Sequence, residues 1–413
     1  MPDTVLAPPD HTVPVAFTRA QLDWLPWLEP LTVEALTDRH MASLVDAARA
    51  SGSDAIALLN NDTRPRSDWL AALVAALQEA PADVAAVSGK IVDWEGERLD
   101  FARGLMTFDG HAFQLDFRRP LARAREPRAG EELPFACGGN LLIRTESFLR
   151  AGGFDEAYFA YLEDVDLGWR LWSGGERVTF APAAVVHHRS SATSDLLGLF
   201  NRGFLFERNA YLTAYKNYED GIWSRMMPAV LLAFLSRMQT MLVQNTPEGA
   251  SLAIDPYAGW IANTAPRERG GPQEVSMAPS APPRETLGEK LRRHRAHGPR
   301  ESIKRALLKL AGKLGPLEPP APAGPRLTDE RTIAQFRTAA YLLGHLDDAA
   351  QKRAAIQARR KRSDREIFER FPLYVVPTYP GDFELFASEG WNAWLPDDVP
   401  IVRASLAEIL EVG

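Results

Sequence analysis

The sequence Tyr161-Leu-Glu-Asp-Val-Asp-Leu-Gly-Trp-Arg170 places three carboxylates within four residues, directly after an aromatic run. Acids packed this closely repel one another and cost stability unless their charge is used. The pattern predicts a helix over 163–172 that a Gly-Gly pair ends. Asp166 lies four residues before Arg170, which favours a helical ion pair, whereas Asp164 lies in the first turn, can stay ionised and can act as a general base. Capping of the helix by its acids is the open alternative.

A second polar corner lies well upstream of the acidic helix. Ala55–Leu59 is continuously apolar, as expected for a parallel strand that is covered on both faces, and it ends abruptly in Asn60-Asn61-Asp62. Ligands of open α/β sheets bind at the carboxyl ends of strands. Oxygen ligands at such a position suit Mg²⁺ or Mn²⁺. Asn and Asp also favour turns, so a plain turn is the alternative.

Length and composition are those of an ordinary globular protein with two or more domains. The 413 residues are 46% hydrophobic and 24% charged, and the net charge of −7 argues against a general nucleic-acid binder. The single cysteine, Cys137, excludes an intrachain disulfide, and the N-terminus lacks the features of a signal peptide, which together predict a cytoplasmic protein. The apolar run Pro228–Leu235 is too short for a bilayer, which needs about 20 residues. It predicts a buried helix or, as the weaker alternative, a contact with a membrane surface.

Strands and helices alternate up to about residue 190, which predicts an α/β fold with a mostly parallel sheet flanked by helices. The predicted helices cover 36–50, 68–78 (capped by Ser67) and 145–151, and the predicted strands cover 55–59, 84–87, 90–92, 141–144, 177–180 and 183–186. Val13–Phe17 is a candidate strand, and 99–130 is predicted to be rich in loops.

The second half of the chain is helical at first and is then divided by two proline-rich stretches around the basic segment Lys290–Lys313. A helical part and the strand Leu373–Val376 follow and predict a small C-terminal α+β unit. The predicted organisation is an atypical N-terminal segment, a main α/β domain, a helical extension, linkers with a basic helix, and a C-terminal unit of unknown role, at 1–35, 36–225, 226–262, 263–325 and 326–413.

Two further motifs combine polar and flexible residues. His187-His188 closes a strand, so the two side chains point to opposite faces and only one can face a site. A packed, hydrogen-bonded histidine is the commoner case. Cys137 precedes Gly138-Gly139-Asn140, where the glycines either let a ligand approach the backbone closely or form a turn. For Cys137 a buried thiol is favoured over a nucleophile, because the sequence offers no particular base to pair with it.

The order of these motifs resembles that of the family 2 glycosyltransferases with a GT-A fold. The resemblance covers roughly residues 36–225, and it is closest to members that transfer rhamnose or similar sugars in surface-polysaccharide assembly. The matching segments are Leu58–Thr63, Cys137–Arg144, Gly152–Glu156, Tyr161–Leu167, Val186–His188, Arg208–Asn209 and Lys216–Asn217.

The resemblance implies an inverting, metal-dependent transfer of a sugar from a nucleotide-sugar, such as a dTDP- or UDP-sugar, to a hydroxyl of a glycan or lipid-linked acceptor. Asp164 matches the catalytic base. Asp62 and His188 match ligands of Mg²⁺ or Mn²⁺, and His188 is preferred to His187 because Thr193 follows it at the family's spacing. The residues predicted to bind substrate are Asn60, Gly138, Gly139 and Asn140 near the donor, Asp155 and Glu156 near the acceptor, and Glu163 and Arg170 in the acidic helix.

One part of the family's pattern is missing from this sequence. Family members open with an apolar strand that ends in Thr-Tyr-Asn or similar, followed by a helix and a strand ending in Asp, and these elements hold the base and ribose. Residues 1–35 do not contain them. Three explanations stay open: a reduced donor site, a chain that starts late, or a partner or second copy that completes the donor site.

Two functions from different classes are consistent with these patterns. The first is a glycosyltransferase at the cytoplasmic face of the membrane, with Lys290–Lys313 near anionic lipid as a peripheral contact; a solvated helix face is the alternative for that segment. The second is a non-catalytic binding or scaffolding relative that lacks a complete donor site. A metal-dependent hydrolase that uses the same acids is a weaker third alternative. No nucleic-acid partner is expected.

Overall fold

The computed structural model describes residues 52–189, 198–245, 330–379 and 381–410, together with Arg49 and two short strands near the N-terminus. Contacts divide the chain into two units, Met1–Asn245 with Asp329–Gly413, and Thr246–Thr328. The second unit lies outside the described residues. The same holds for nearly all of the predicted helix at 36–50, for most of the candidate strand at 13–17, and for the basic segment.

Strands and helices are interspersed as far as residue 188, and two helices follow up to residue 245. The strands are β1 (Thr4–Val5), β2 (Phe17–Thr18), β3 (Ala55–Leu59), β4 (Thr63–Pro65), β5 (Val84–Asp93), β6 (Leu99–Phe101), β7 (Gly104–Met106), β8 (Ala112–Gln114), β9 (Asn140–Arg144), β10 (Arg177–His188), β11 (Leu373–Val375) and β12 (Ile401–Arg403). The described helices are α1 (Trp69–Glu79), α2 (Thr145–Ala151), α3 (Glu163–Ser173), α4 (Gly198–Asn217), α5 (Asp220–Asn245), α6 (Glu330–Gly344), α7 (Leu346–Arg359), α8 (Asp364–Arg370), α9 (Asp382–Ala387), α10 (Glu389–Asn392) and α11 (Leu406–Leu410).

The central sheet confirms the predicted α/β class but corrects the predicted strand directions. Its order is β3-β9-β5-β10-β4, with β6 added on β5. Only β5 and β10 pair in parallel, and every other described pair in this sheet is antiparallel. The sheet is therefore mixed. Both kinds of strand are continuously apolar when helices cover both faces, so the apolar run of β3 could not reveal its direction.

Several element boundaries also differ from the sequence-based prediction. The predicted strand pairs at 84–92 and 177–186 are single strands, with an irregularity in β10 between Ala181 and Val185. Section 99–130 is rich in loops, as predicted, and the three short strands β6, β7 and β8 lie between those loops. The predicted cap at Ser67 is wrong, because α1 begins one residue later and its N-cap, Asp68, makes no side-chain capping bond. Instead, the backbone N–H of Trp69 donates to the carbonyl of Arg66, so a tight turn starts the helix.

The topology brings several strand termini to one end of the sheet. Leu59, the last residue of β3, lies opposite Asn140, the first residue of β9. His188, the last residue of β10, lies opposite both Asp93 at the end of β5 and Thr63 at the start of β4. Since β3 and β4 are the two edge strands of this path, the short connection between them crosses this end of the sheet. This end carries the candidate site.

The C-terminal residues pack into the same unit as the main domain. Gln357 of α7 donates to the carbonyls of Lys216 and Tyr218, and the Arg360 guanidinium donates to the carbonyl of Asn217. The last carbonyls of a helix have no partner inside it, so the C-terminal segment caps the end of α4. The indole N–H of Trp391 similarly donates to the carbonyl of Ala229 in α5.

The apolar run Pro228–Leu235 lies in α5, with Val230 and Ala233 buried and Leu232 and Leu235 exposed. Across the part of the chain that the structure describes, helices fall short of the length and apolar character needed to cross a membrane.

Candidate active site

The connection after β3 lies against the glycine loop that precedes β9. The backbone N–H of Asn60 donates to the carbonyl of Gly139 at 3.5 Å. A Cβ at Gly139 would stand only 3.1 Å from Asn60 Nδ2, which is tighter than ordinary contacts. Gly139 therefore permits this close approach of the two loops.

Asp62 and His188 meet at the same end of the sheet. The imidazole Nε2 of His188 lies 3.3 Å from a carboxylate oxygen of Asp62, and its Nδ1 lies 2.9 Å from a carboxylate oxygen of Asp100 in β6. The alternation along β10 turns His187 away from this pair, and His187 Nδ1 instead contacts the carbonyl of Trp94 at 3.2 Å. Burial lowers the pKa of His188, but the bonds to Asp100 and Asp62 outweigh burial and raise its pKa to about 9.

The donor set of this pair fits a divalent cation. Asp100 holds the imidazole through Nδ1, and this leaves Nε2 directed at Asp62, which is the carboxylate–histidine arrangement common behind metal ligands. Asp62 and His188 thus supply two ligands, and Asp100 orients one of them. Within the described ranges, no preformed group of three or more His, Cys, Asp or Glu ligands occurs. Oxygen atoms of a ligand would have to complete the coordination shell.

The acidic helix reaches the other side of the glycine loop. One carboxylate oxygen of Asp164 accepts the backbone N–H of Gly138 at 3.0 Å, and the other accepts the backbone N–H of Val165 at 2.9 Å. Burial raises the pKa of Asp164, whereas these two bonds favour its ionised form. Asp164 is therefore a carboxylate with both oxygens oriented by backbone.

The backbone before the acidic helix is strained. Phe159, Tyr161 and Leu162 all have positive φ, at 61°, 69° and 64°. Non-glycine residues rarely adopt this region, and such strain often marks functional sites. Asn209 of α4 holds the segment, because its side-chain amide lies 3.1, 2.7 and 2.7 Å from the carbonyls of Tyr158, Ala160 and Tyr161. The fully buried Asn209 thus fixes the direction in which α3 starts.

Glu163 lies beside Asp164 in a less favourable setting. Its Oε2 atom is buried without a hydrogen-bond partner. Burial and the charge of Asp164 raise the pKa of Glu163 to about 8. Two adjacent carboxyl groups resist being ionised together, and Asp164 has the better donors. Asp164 therefore ionises first.

Cys137 precedes Gly138 at the start of the glycine loop. Burial and the charges of Asp164, Asp100 and Glu163 raise the pKa of its thiol well above the ordinary value. The thiol therefore stays protonated, which does not suit a nucleophile.

Three other predicted site residues are engaged within the protein, and a fourth is exposed. The fully buried side chain of Asn140 binds the Trp69 indole and two backbone carbonyls. Arg170 is buried in the expected ion pair with Asp166. The carboxylate of Asp155 is bonded by the ammonium groups of Lys216 and Lys352. Glu156 is exposed on the following turn.

Sequence reasoning did not identify Asp100 or the clamp made by Asn209. Asp100 stands between Leu99 and Phe101 in a strand that is buried throughout, so a single acid in an apolar segment was the available signal. The pair Arg208-Asn209 formed part of the resemblance, but nothing in the sequence indicates which carbonyls its side chains bind.

Residues 55–243 match the family model described as "Glycosyl transferase family group 2". This chain carries a family 2 glycosyltransferase domain. The match confirms the predicted family and includes β3 to β10, α4 and most of α5.

Relatives of this glycosyltransferase domain match only in part. The N-acetylglucosaminyl-diphospho-decaprenol L-rhamnosyltransferase of Mycobacterium tuberculosis is 49% identical over 57 residues, which are 14% of this chain and 19% of that protein. The O-antigen biosynthesis protein RfbC of Myxococcus xanthus is 29% identical over 177 residues, 40% of this chain and 14% of that protein. The crystal structure of GalNAc-T7 with UDP, GalNAc and Mn²⁺ aligns at a TM-score of 0.33 and 15% identity, over 53% of this chain and 39% of that chain.

Proposed function

We propose that this protein transfers a sugar, with inversion, from a nucleotide-sugar to a hydroxyl of a glycan or lipid-linked acceptor in cell-surface polysaccharide synthesis. The observation that carries the proposal is one glycine loop with two neighbours: Gly138 bonds the backbone-oriented carboxylate of Asp164, and Gly139 bonds the β3–β4 connection that carries Asp62 of the carboxylate–imidazole pair. A base and a diphosphate-binding corner that flank one loop are what such a transfer requires. The printed names of the rhamnosyltransferase and O-antigen relatives support the polysaccharide setting.

Asp164 is the proposed base. The acceptor oxygen attacks the anomeric carbon of the donor sugar, and its proton passes to Asp164. The bond between that carbon and the diphosphate oxygen breaks, and its electron pair leaves with the nucleoside diphosphate. Because burial raises the pKa of Asp164, this carboxylate is a stronger base than an exposed aspartate.

Asp62 and His188 are the proposed holders of Mg²⁺ or Mn²⁺, and the loop at Asn60 and Gly139 lies next to them. A bound divalent cation would neutralise charge on the leaving diphosphate. Asp100 keeps the imidazole of His188 directed at this position. A location at the cytoplasmic face of a membrane is part of the proposal and rests on the sequence alone.

The test is Asp164→Asn in the full-length chain. Transfer from dTDP-, UDP- or GDP-sugars should fall by about 100-fold or more, because the proton has no acceptor. Calorimetry with the matching nucleoside diphosphates and Mn²⁺ should give dissociation constants close to those of the wild type, because Asp164 is not one of the proposed holders of the cation.

Two outcomes would count against the proposal. An Asp164→Asn protein that keeps most of its transfer rate would remove Asp164 as the base. A wild-type protein that binds no nucleoside diphosphate with Mn²⁺ would instead favour a non-catalytic binding protein. Asp68→Asn is the matched control, because Asp68 is an exposed aspartate before α1 and away from the acidic helix.

A further inference from the structure

We propose that Glu163 is a positioning residue that works as the neutral acid: it keeps a proton beside the ionised Asp164 and offers its carboxyl group to a second hydroxyl of a sugar acceptor. The inference rests on the proposed function and specifies the acceptor as a sugar with neighbouring hydroxyl groups. It assigns different protonation states to the two adjacent acids of one helix turn.

The geometry separates the two acids. Both oxygens of Asp164 accept backbone N–H groups, whereas Glu163 Oε2 is buried without a hydrogen-bond partner. The one hydrogen bond that the Glu163 carboxyl group receives comes from its own backbone N–H and does not offset its burial. A buried carboxylate oxygen without a donor disfavours the ionised form. A proton on Glu163 removes this cost and also the repulsion between the neighbouring charges.

The two acids face the same position beside Gly138. A Cβ built on Gly138 would lie 3.7 Å from Glu163 Oε1 and 3.9 Å from Asp164 Oδ2. Both distances are ordinary van der Waals contacts, so a group the size of a methyl or hydroxyl fits at this position without a clash. A hydroxyl placed there can reach Asp164, and a neighbouring hydroxyl can reach Glu163.

The surroundings of Glu163 are consistent with a neutral carboxyl group. The titratable groups that face it are Asp164 and Asp166 on its own helix and the Cys137 thiol on the glycine loop. Asp166 is itself neutralised by Arg170 and Lys216. None of these groups supplies a cation to Glu163, and the pKa of Glu163 is correspondingly raised to about 8.

The first test is the pH profile of transfer by Glu163→Gln. Wild-type transfer should decline as pH rises through about 8, because the neutral acid is lost. An amide cannot ionise, so the ratio of the rate at one unit above that pH to the rate at neutral pH should be about ten-fold higher in Glu163→Gln than in the wild type. Glu146→Gln, at an exposed glutamate paired with Arg150, is the matched control and should keep the wild-type profile.

The second variant, Gly138→Ala, fills the space without a clash. It should fold normally, while the KM for the acceptor rises about ten-fold, by loss of roughly one good contact. An unchanged KM for the acceptor would contradict the proposal that the acceptor binds beside Gly138. If Glu163→Gln has the pH profile of the wild type, or loses transfer at every pH, Glu163 does not work as a neutral acid.

A third readout does not depend on transfer and separates this inference from the proposed function. The infrared difference spectrum between wild type and Glu163→Gln at neutral pH should contain the carbonyl band of a protonated carboxyl group, and the band should disappear as pH rises through about 8. If no donor or acceptor is turned over but this band is present, the protonation of Glu163 holds and the proposed activity fails. Absence of the band would show directly that Glu163 is not protonated at neutral pH.

Discussion

At the scale of single residues, the candidate site depends on groups that are oriented by other parts of the chain. Asp164 is oriented by Gly138, His188 by Asp100, and the backbone before α3 by Asn209. The chemistry-bearing side chains therefore act through neighbours that do no chemistry themselves. Asn209 is the clearest case, since it supports a segment with three unfavourable φ angles.

Asn209→Ala should reduce transfer more than donor binding. Removing the amide leaves buried carbonyls without a donor, at a cost of about 1–3 kcal/mol in stability, and releases the strained turn that directs Asp164. Urea denaturation and transfer kinetics measure the two effects. Asn209→Asp keeps the size but has no N–H donor, so it should be at least as damaging. If the aspartate variant has wild-type transfer kinetics, Asn209 does not hold the turn in a way that matters for the site.

At the scale of elements, a buried charged network joins the β7–β8 turn to α4, α5 and α9. The His111 imidazole lies 3.1 Å from Asp109 and 3.5 Å from Glu207, and Arg237 pairs with Asp109 and Asp382. Burial lowers the pKa of His111, but the carboxylates of Asp109 and Glu207 outweigh it and raise the pKa to about 9. The charged imidazole is thus a stabilising part of the network.

The sign of this shift predicts how stability depends on pH. A folded-state pKa above the unfolded value of 6.5 gives stabilisation that is complete below that value and is lost as pH rises through about 9. The melting temperature of the wild type should therefore fall more steeply over this range than that of His111→Gln. Differential scanning calorimetry across the range tests this, with the exposed His345→Gln as control. Equal slopes for wild type and His111→Gln would show that the imidazole is not held in its charged form.

At the scale of the whole molecule, the C-terminal residues share the core of the glycosyltransferase domain. The ring of Trp391 packs 5.2 Å from Phe108 and 4.5 Å from Phe386, and Lys352 of α7 bonds Asp155 near the acidic helix. Buried residues from both parts form one continuous cluster. The C-terminal segment is therefore expected to unfold together with the main domain.

Trp391→Ala tests this coupling. Loss of a large buried side chain should lower the free energy of unfolding by about 3–5 kcal/mol and move a single transition. Urea denaturation followed by circular dichroism and by nucleoside diphosphate binding should give coincident midpoints. The half-exposed Trp394→Ala is the control and should change little. Separate transitions, with only one shifted in Trp391→Ala, would contradict a shared core.

The sequence by itself determined the local features: the apolar strand β3, the helix α2 stopped by Gly152, the acidic helix α3 and its Asp166–Arg170 pair. These features depend on periodicity, capping and spacing within a few residues, and such short-range interactions can be predicted from the order of residues. The order of the sequence motifs was enough to predict the family.

Only the tertiary structure decided which distant residues meet. The antiparallel direction of β9, the contact of Asp100 with His188, the clamp from Asn209 and the burial of Asn140 all depend on strand order and packing across many residues. An apolar strand can pair in either direction. The partner of a lone buried acid such as Asp100 cannot be predicted until the position of the neighbouring strand is known. The free energies that select among these arrangements belong to contacts between elements, so the chain's local pattern does not contain them.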